Sequence, residues 1–89
     1  MMNLLKRAGS FSLIVEQIVD KQIRRNYPPE AAETYQRLIR DSFTEIEAKR
    51  LISMAVQIEI FRLMRYGEAF NHARYIGNLN GLPDLPDLD

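Results

Sequence analysis

The sequence predicts an all-α protein with three main helices and a short fourth, and three observations support that fold class. Apolar residues recur at the i, i+3, i+4 and i+7 spacing of a buried helical stripe. Prolines and a glycine stand where these periodic segments end. Thr44 to Glu47 has the S/T-x-x-E form of a capping box, which marks a helix start. The 89 residues fit one domain, which we place at residues 1–81.

The first helix is predicted from Phe11 to about Asn26, with Ser10 as a candidate N-cap. It must stop there because a proline pair follows, and Pro28 forces Tyr27 out of the α region. The apolar stripe of this helix consists of Phe11, Ile14, Val15, Ile18, Val19 and Ile23.

The second helix is predicted from Pro29 to about Asp41, because proline suits a first helical turn. Its inward residues are Ala31, Ala32, Tyr35, Leu38 and Ile39. The third helix begins at the capping box of Thr44 and continues to Tyr66, after which Gly67 supplies a left-handed residue.

The third helix is apolar around most of its circumference, which predicts a central position in the fold. Its narrow polar strip consists of Lys49, Arg50, Ser53 and Gln57. Two amphipathic neighbours and a short fourth helix leave part of such a surface uncovered, so a second copy of the chain is our candidate for the remaining cover.

The fourth helix is predicted from His72 to about Asn80, with Asn71 as its cap and Gly81 at its end. Its inward residues are Tyr75, Ile76 and Leu79. Residues 82–89 repeat Leu-Pro-Asp, which favours an extended or polyproline-like tail, either flexible or docked.

Composition narrows the classes of function. There is no cysteine, which excludes disulfides, thiolate chemistry and cysteine-based zinc sites and suits a reducing cytoplasm. We read no signal peptide and no apolar run long enough for a membrane span. Twelve basic residues balance twelve acidic ones, yet residues 1–25 carry a net charge of +3 and residues 67–89 a net charge of −3.

Three polar residues form the candidate site for chemistry, namely Glu16, Glu59 and His72. Glu59 falls on an apolar side of the third helix, where a carboxylate is either perturbed or paired with Arg62 or with an arginine of another helix. His72 is the only histidine, and half-buried packing is the simpler interpretation of it. No phosphate-binding glycine motif is present, and we expect no cofactor.

Nucleic-acid binding is the third alternative. The second and third helices, joined by a short turn, resemble a helix-turn-helix superficially. Basic residues recur at Lys21, Arg24, Arg25, Arg37, Arg40, Lys49 and Arg50. The third helix offers no exposed face of base-reading side chains and the net charge is zero, so we do not expect nucleic acid as a partner.

Five short motifs are distributed along residues 15–82, namely Gln22-Ile23, Pro28-Pro29-Glu30, Glu47-Ala48, Gly67-Glu68-Ala69-Phe70 and Arg74-Tyr75. In these motifs the chain resembles a bacterial family of small all-helical proteins of unknown function. In that family histidines flank the Glu-Ala at a spacing suited to metal ligands, but here those positions are Ile46 and Arg50. The resemblance therefore implies a helical fold and no activity for this chain.

The sequence leads to one principal hypothesis and two alternatives. The principal one is a non-enzymatic helical interaction protein that acts as a homodimer, with room for another protein partner. Its expected interface consists of Ile14, Ile18, Ile52, Val56, Ile60 and Met64. The alternatives are a small metal-binding or enzymatic domain that uses the three polar residues, and a DNA-associated regulator.

Overall fold

The computed structural model describes residues 2–85, with side chains from Ser12 onward. This part of the chain is all-α, as predicted. Its helices are α1 (Met2–Arg25), α2 (Pro29–Arg40), α3 (Glu45–Tyr66) and α4 (His72–Gly81). The last residues of the predicted tail, 86–89, lie outside the described part.

Helix α1 begins at Met2, so the predictions of a start at Phe11 and a cap at Ser10 are wrong. The preceding residues include leucine, lysine, arginine and alanine, which favour helix, and no proline separates them from the apolar stripe. The predicted end is confirmed. Asn26 has a left-handed φ of 54°, and the Tyr27 N–H donates to the Gln22 carbonyl at 3.1 Å in a Schellman-type ending.

Helix α3 is bounded by the two signals that the sequence provides. The Thr44 N–H donates to Glu47 Oε1 at 2.9 Å, and the Glu47 N–H donates to Thr44 Oγ1 at 3.1 Å, which completes the capping box. At the other end Gly67 has a φ of 69°, and its N–H donates to the Leu63 carbonyl at 2.9 Å. Both predictions of local structure are therefore confirmed.

Helix α4 starts as predicted and ends one residue later. The Arg74 N–H donates to the Asn71 side chain at 2.9 Å, and the helix includes Gly81. Leu82, which the sequence assigned to the tail, is buried in the core. Arg37 of α2 fixes this end of the chain because its guanidinium donates to the carbonyls of Leu82 at 2.7 Å and Leu79 at 3.0 Å.

The core confirms the central place of α3. It consists of Val15, Val19, Ala31, Leu38, Ala48, Ile52, Ala55, Val56, Tyr75, Leu79 and Leu82. Helix α3 packs against the three other helices, and the Tyr75 hydroxyl of α4 donates to Gln22 Oε1 of α1 at 2.6 Å. Of the residues predicted to face inward from α2, Tyr35 is half-buried and Ile39 is 38% exposed, so these two are less covered than expected.

Helices α1 and α3 run antiparallel, which decides where each functional candidate lies. Lys49 Nζ near the start of α3 is 2.9 Å from Asp20 Oδ1 near the end of α1. One turn further along α3, Ser53 lines the same small cavity as Glu16. The first half of α1 therefore runs beside the second half of α3.

Candidate functional site: a buried ion pair, a polar groove and an apolar end

Glu59 is a fully buried carboxylate, with 0% of its side chain exposed, and it is bound from three directions. Arg74 of α4 donates from Nε to Oε2 at 2.6 Å and from Nη2 to Oε1 at 2.9 Å. The Asn71 N–H at the start of α4 donates to Oε1 at 2.9 Å. The prediction of an arginine partner from another helix is confirmed, and the carboxylate holds the start of α4 against α3.

The electrostatics of this pair favour the ionised acid. Burial raises the pKa of Glu59, but the hydrogen bonds from Arg74 and from the Asn71 N–H outweigh burial, so the pKa lies below its ordinary value. Glu68 extends the network, since its Oε1 lies 3.4 Å from Arg74 Nη2 and accepts a hydrogen bond from Arg62 Nε at 2.9 Å. That hydrogen bond lowers the pKa of Glu68 as well. A carboxylate held in this way stays ionised and stabilises the fold, and we assign it no role in proton transfer.

His72 and Glu16 do not join Glu59 in one site. The His72 ring is exposed and lies 5.3 Å from the Phe70 ring between centroids, so half-buried packing overstates its burial. Glu16 lies on α1 beside a different stretch of α3. Within residues 12–85 no three acidic or histidine side chains are grouped as metal ligands would be. The three predicted residues therefore do not form a metal site, since Glu59 is bound by Arg74 and Asn71 and Glu16 lines a groove between α1 and α3.

A polar groove lies between α1 and α3. Its volume is about 210 Å³, and its lining consists of Ser12, Glu16, Arg50, Ser53, Met54 and Gln57. The side chain of Ser53 is buried, with the residue only 3% exposed, and its Oγ has no hydrogen-bond partner. The sequence placed Ser53 on the narrow polar strip of α3 and gave no sign that α1 lies beside this strip.

The six residues of the predicted interface divide into two groups. Ile52 and Val56 are 0% and 2% exposed inside the core of the single chain, so they are not available to a partner and their assignment is corrected here. Ile60 packs against the same core. Ile14, Ile18 and Met64 are open, with 55%, 37% and 78% of their surface exposed.

Large apolar side chains are exposed on the two long helices. We use the name apolar end for five of them, Leu13 and Ile14 of α1 and Phe61, Leu63 and Met64 of α3, which are 38–78% exposed. Helices α1 and α3 have 24 and 22 residues, or about 36 and 33 Å, whereas α2 and α4 have 12 and 10 residues, or about 18 and 15 Å. The short helices leave part of the long pair uncovered. The sequence did not identify Phe61 and Leu63, because an apolar helix does not reveal which of its sides the chain itself buries.

Two of the seven basic residues considered for DNA binding are occupied within the protein. Arg37 is bound to backbone carbonyls, and Lys49 pairs with Asp20 and lies 5.9 Å from the centre of the Tyr35 ring. The basic face that the helix-turn-helix hypothesis requires is correspondingly smaller.

None of the helices in residues 2–85 has the combination of length and apolar character that a membrane span requires. Comparisons of the chain with protein-family models, with curated proteins and with solved structures gave no match. The resemblance of residues 15–82 to a family of small helical proteins therefore stays a prediction.

Proposed function

We propose that the protein is a non-enzymatic helical interaction module that acts as a homodimer through its apolar end. The observation that carries this proposal is the exposure of large apolar side chains on the uncovered part of the α1–α3 pair, with Met64 at 78% and Leu63 at 50%. Large exposed apolar patches are uncommon on monomeric proteins, and they often mark association surfaces.

A second copy suits this surface in shape. A two-fold axis would bring the exposed apolar side chains of α1 and α3 in one copy against the same side chains of the other. Each copy would then cover apolar surface that the other leaves exposed.

Charge supports the same partner. Residues 1–25 carry a net charge of +3 and residues 67–89 a net charge of −3, in a chain whose total charge is zero. Two copies of a chain with zero net charge experience no overall repulsion, and the basic segment attracts the acidic segment within one copy or between two.

Light scattering behind a sizing column, over a range of protein concentrations, tests the proposal with two matched variants. Met64→Lys introduces a charge into the apolar end and is expected to convert a dimer into a monomer while the helical circular dichroism is retained. Ile46→Lys is the control, because Ile46 is 68% exposed on the first turn of α3, about 27 Å along the helix from Met64. A monomeric wild type, or a dimer that both variants leave intact, would overturn the proposal.

A further inference from the structure

The polar groove between α1 and α3 combines features that a packed helix interface lacks. Glu16 and Arg50 carry opposite charges on its walls, yet no salt bridge joins them in the described part of the chain. Each is exposed to solvent at the mouth of the groove. An acid and a base that share a cavity of about 210 Å³ without pairing leave room for a molecule between them.

Ser53 provides an independent indication of a ligand. Ser53 lines the groove and is only 3% exposed, and its buried hydroxyl oxygen has no hydrogen-bond partner among the described residues. A buried hydroxyl without a partner is unfavourable and is rare in folded proteins. A serine inside a helix ordinarily bonds back to a carbonyl of the preceding turn, and this hydroxyl does not.

The arrangement of groups defines the class of ligand. Arg50 binds a carboxylate through its planar fork, and Glu16 accepts from an ammonium group. The hydroxyl of Ser53 and the amide of Gln57 donate and accept at the wall, where they suit a short polar side chain. Met54 supplies an apolar surface for methylene groups.

We infer that the groove formed by Glu16, Arg50, Ser53 and Gln57 binds a small polar α-amino acid in its zwitterionic form. The ligand carboxylate lies at Arg50, the ammonium at Glu16, and the side chain at Ser53 and Gln57. This site is separate from the apolar end, since its walls are the polar strip of α3 and the neighbouring face of α1. The inference does not depend on the proposed dimer.

Titration of the ¹⁵N-labelled full chain with L-serine, L-asparagine and L-glutamine, followed by amide chemical shifts, tests the inference. At least one of the three is expected to give saturable shifts at the amides of residues 16, 50, 53 and 57. The N-acetylated form and the primary amide of the same amino acid should each bind at least about tenfold more weakly, because each removes one charge of the zwitterion. Shifts that do not saturate would overturn the assignment. So would shifts that are equal for the free amino acid, its N-acetylated form and its primary amide.

Two variants separate a binding role from a structural one. Arg50→Gln is expected to weaken binding at least about tenfold, whereas Arg40→Gln, an exposed arginine of α2 outside the groove, should leave binding unchanged. Ser53→Ala removes the buried unpaired hydroxyl, so the urea midpoint should stay the same or rise while binding weakens. A lower urea midpoint together with unchanged binding would show that Ser53 serves the fold and would refute the inference.

Discussion

Replacement of Arg74 by methionine tests how α4 is held on α3. Methionine keeps most of the stem of the side chain but removes the two donors that lie 2.6 and 2.9 Å from the Glu59 carboxylate. Glu59 is then a buried carboxylate, 0% exposed, that keeps the Asn71 N–H at 2.9 Å and the positive charge of Arg62 nearby. The variant therefore measures the cost of removing the main counterion of a buried charge, together with the 3.4 Å contact between Arg74 and Glu68.

The expected loss is large for a chain of this size. Breaking a buried ion pair by removing one partner costs about 3–5 kcal/mol. The Arg74 side chain is 29% exposed, so solvent screens the pair in part and we expect the lower limit, about 3 kcal/mol. A loss of that size lowers the melting temperature by roughly 12–24 °C for a small domain. The double variant Glu59→Met/Arg74→Met removes the uncompensated charge and should regain about 2 kcal/mol of that loss.

The pH dependence of the loss identifies its cause. The pKa of Glu59 is lowered in the folded protein, so the pair stabilises the fold above the unfolded pKa of about 4.3, and this stabilisation disappears as the pH falls through the folded pKa. In Arg74→Met, burial without the guanidinium favours the protonated acid. The difference in free energy of unfolding between wild type and variant should therefore be greatest at pH 7, and it should narrow as the pH falls from the raised pKa of Glu59 in the variant to its lowered pKa in the wild type.

Urea unfolding followed by circular dichroism at pH 7, 5 and 3 measures these quantities, with Arg74→Lys as the control. Lysine retains the charge but not the two-donor fork, so an intermediate loss is expected. A loss below about 1 kcal/mol at pH 7 would refute the reasoning, since that is the size of an exposed ion pair. So would a loss that is the same at all three pH values.

Two further predictions concern the backbone. Gly77→Ala should raise the free energy of unfolding by about 0.5–1 kcal/mol, because Gly77 is inside α4 and an added Cβ meets nothing within 4 Å, whereas Gly67→Ala should lower it by about 1 kcal/mol at a φ of +69°. Urea midpoints that move in the same direction for both glycines would contradict this. Arg37→Met removes two hydrogen bonds, 2.7 and 3.0 Å long, to carbonyls at the end of α4, and should lower the free energy of unfolding by about 1.5–3 kcal/mol. Arg40→Met, at an exposed position, should lower it by less than about 0.5 kcal/mol. Equal thermal melting of these two arginine variants would show that the carbonyl contacts contribute nothing.

Most helix boundaries could be predicted from the sequence because they depend on neighbouring residues. The capping box of Thr44, the left-handed Gly67 and the cap at Asn71 each act within a few positions of the chain, and each is confirmed. The start of α1 was wrong for a related reason. A serine before an apolar stripe resembles a cap, but it also occurs inside a helix when good helix-forming residues precede it.

The candidate sites were less predictable because they depend on which helices meet. Glu59 was expected to find an arginine, yet Arg74 becomes its partner only because the chain reverses after Gly67. Helical angles showed that α3 is apolar on nearly every side, but they could not distinguish Ile52, which its own chain buries, from Met64, which remains open. The polar groove was missed for the same reason, since α1 and α3 form it jointly.

The contact between Arg37 and the end of α4 requires a particular residue type on one side only. One side is a guanidinium, which a single residue type supplies, and the other side is two backbone carbonyls, which every residue type supplies. Variation at positions 79 and 82 is therefore limited by the apolar core and not by this contact. In any set of descendant sequences that keep this architecture, drift toward lysine at position 37, a single point charge, would weaken the hold of the second helix on the end of the fourth.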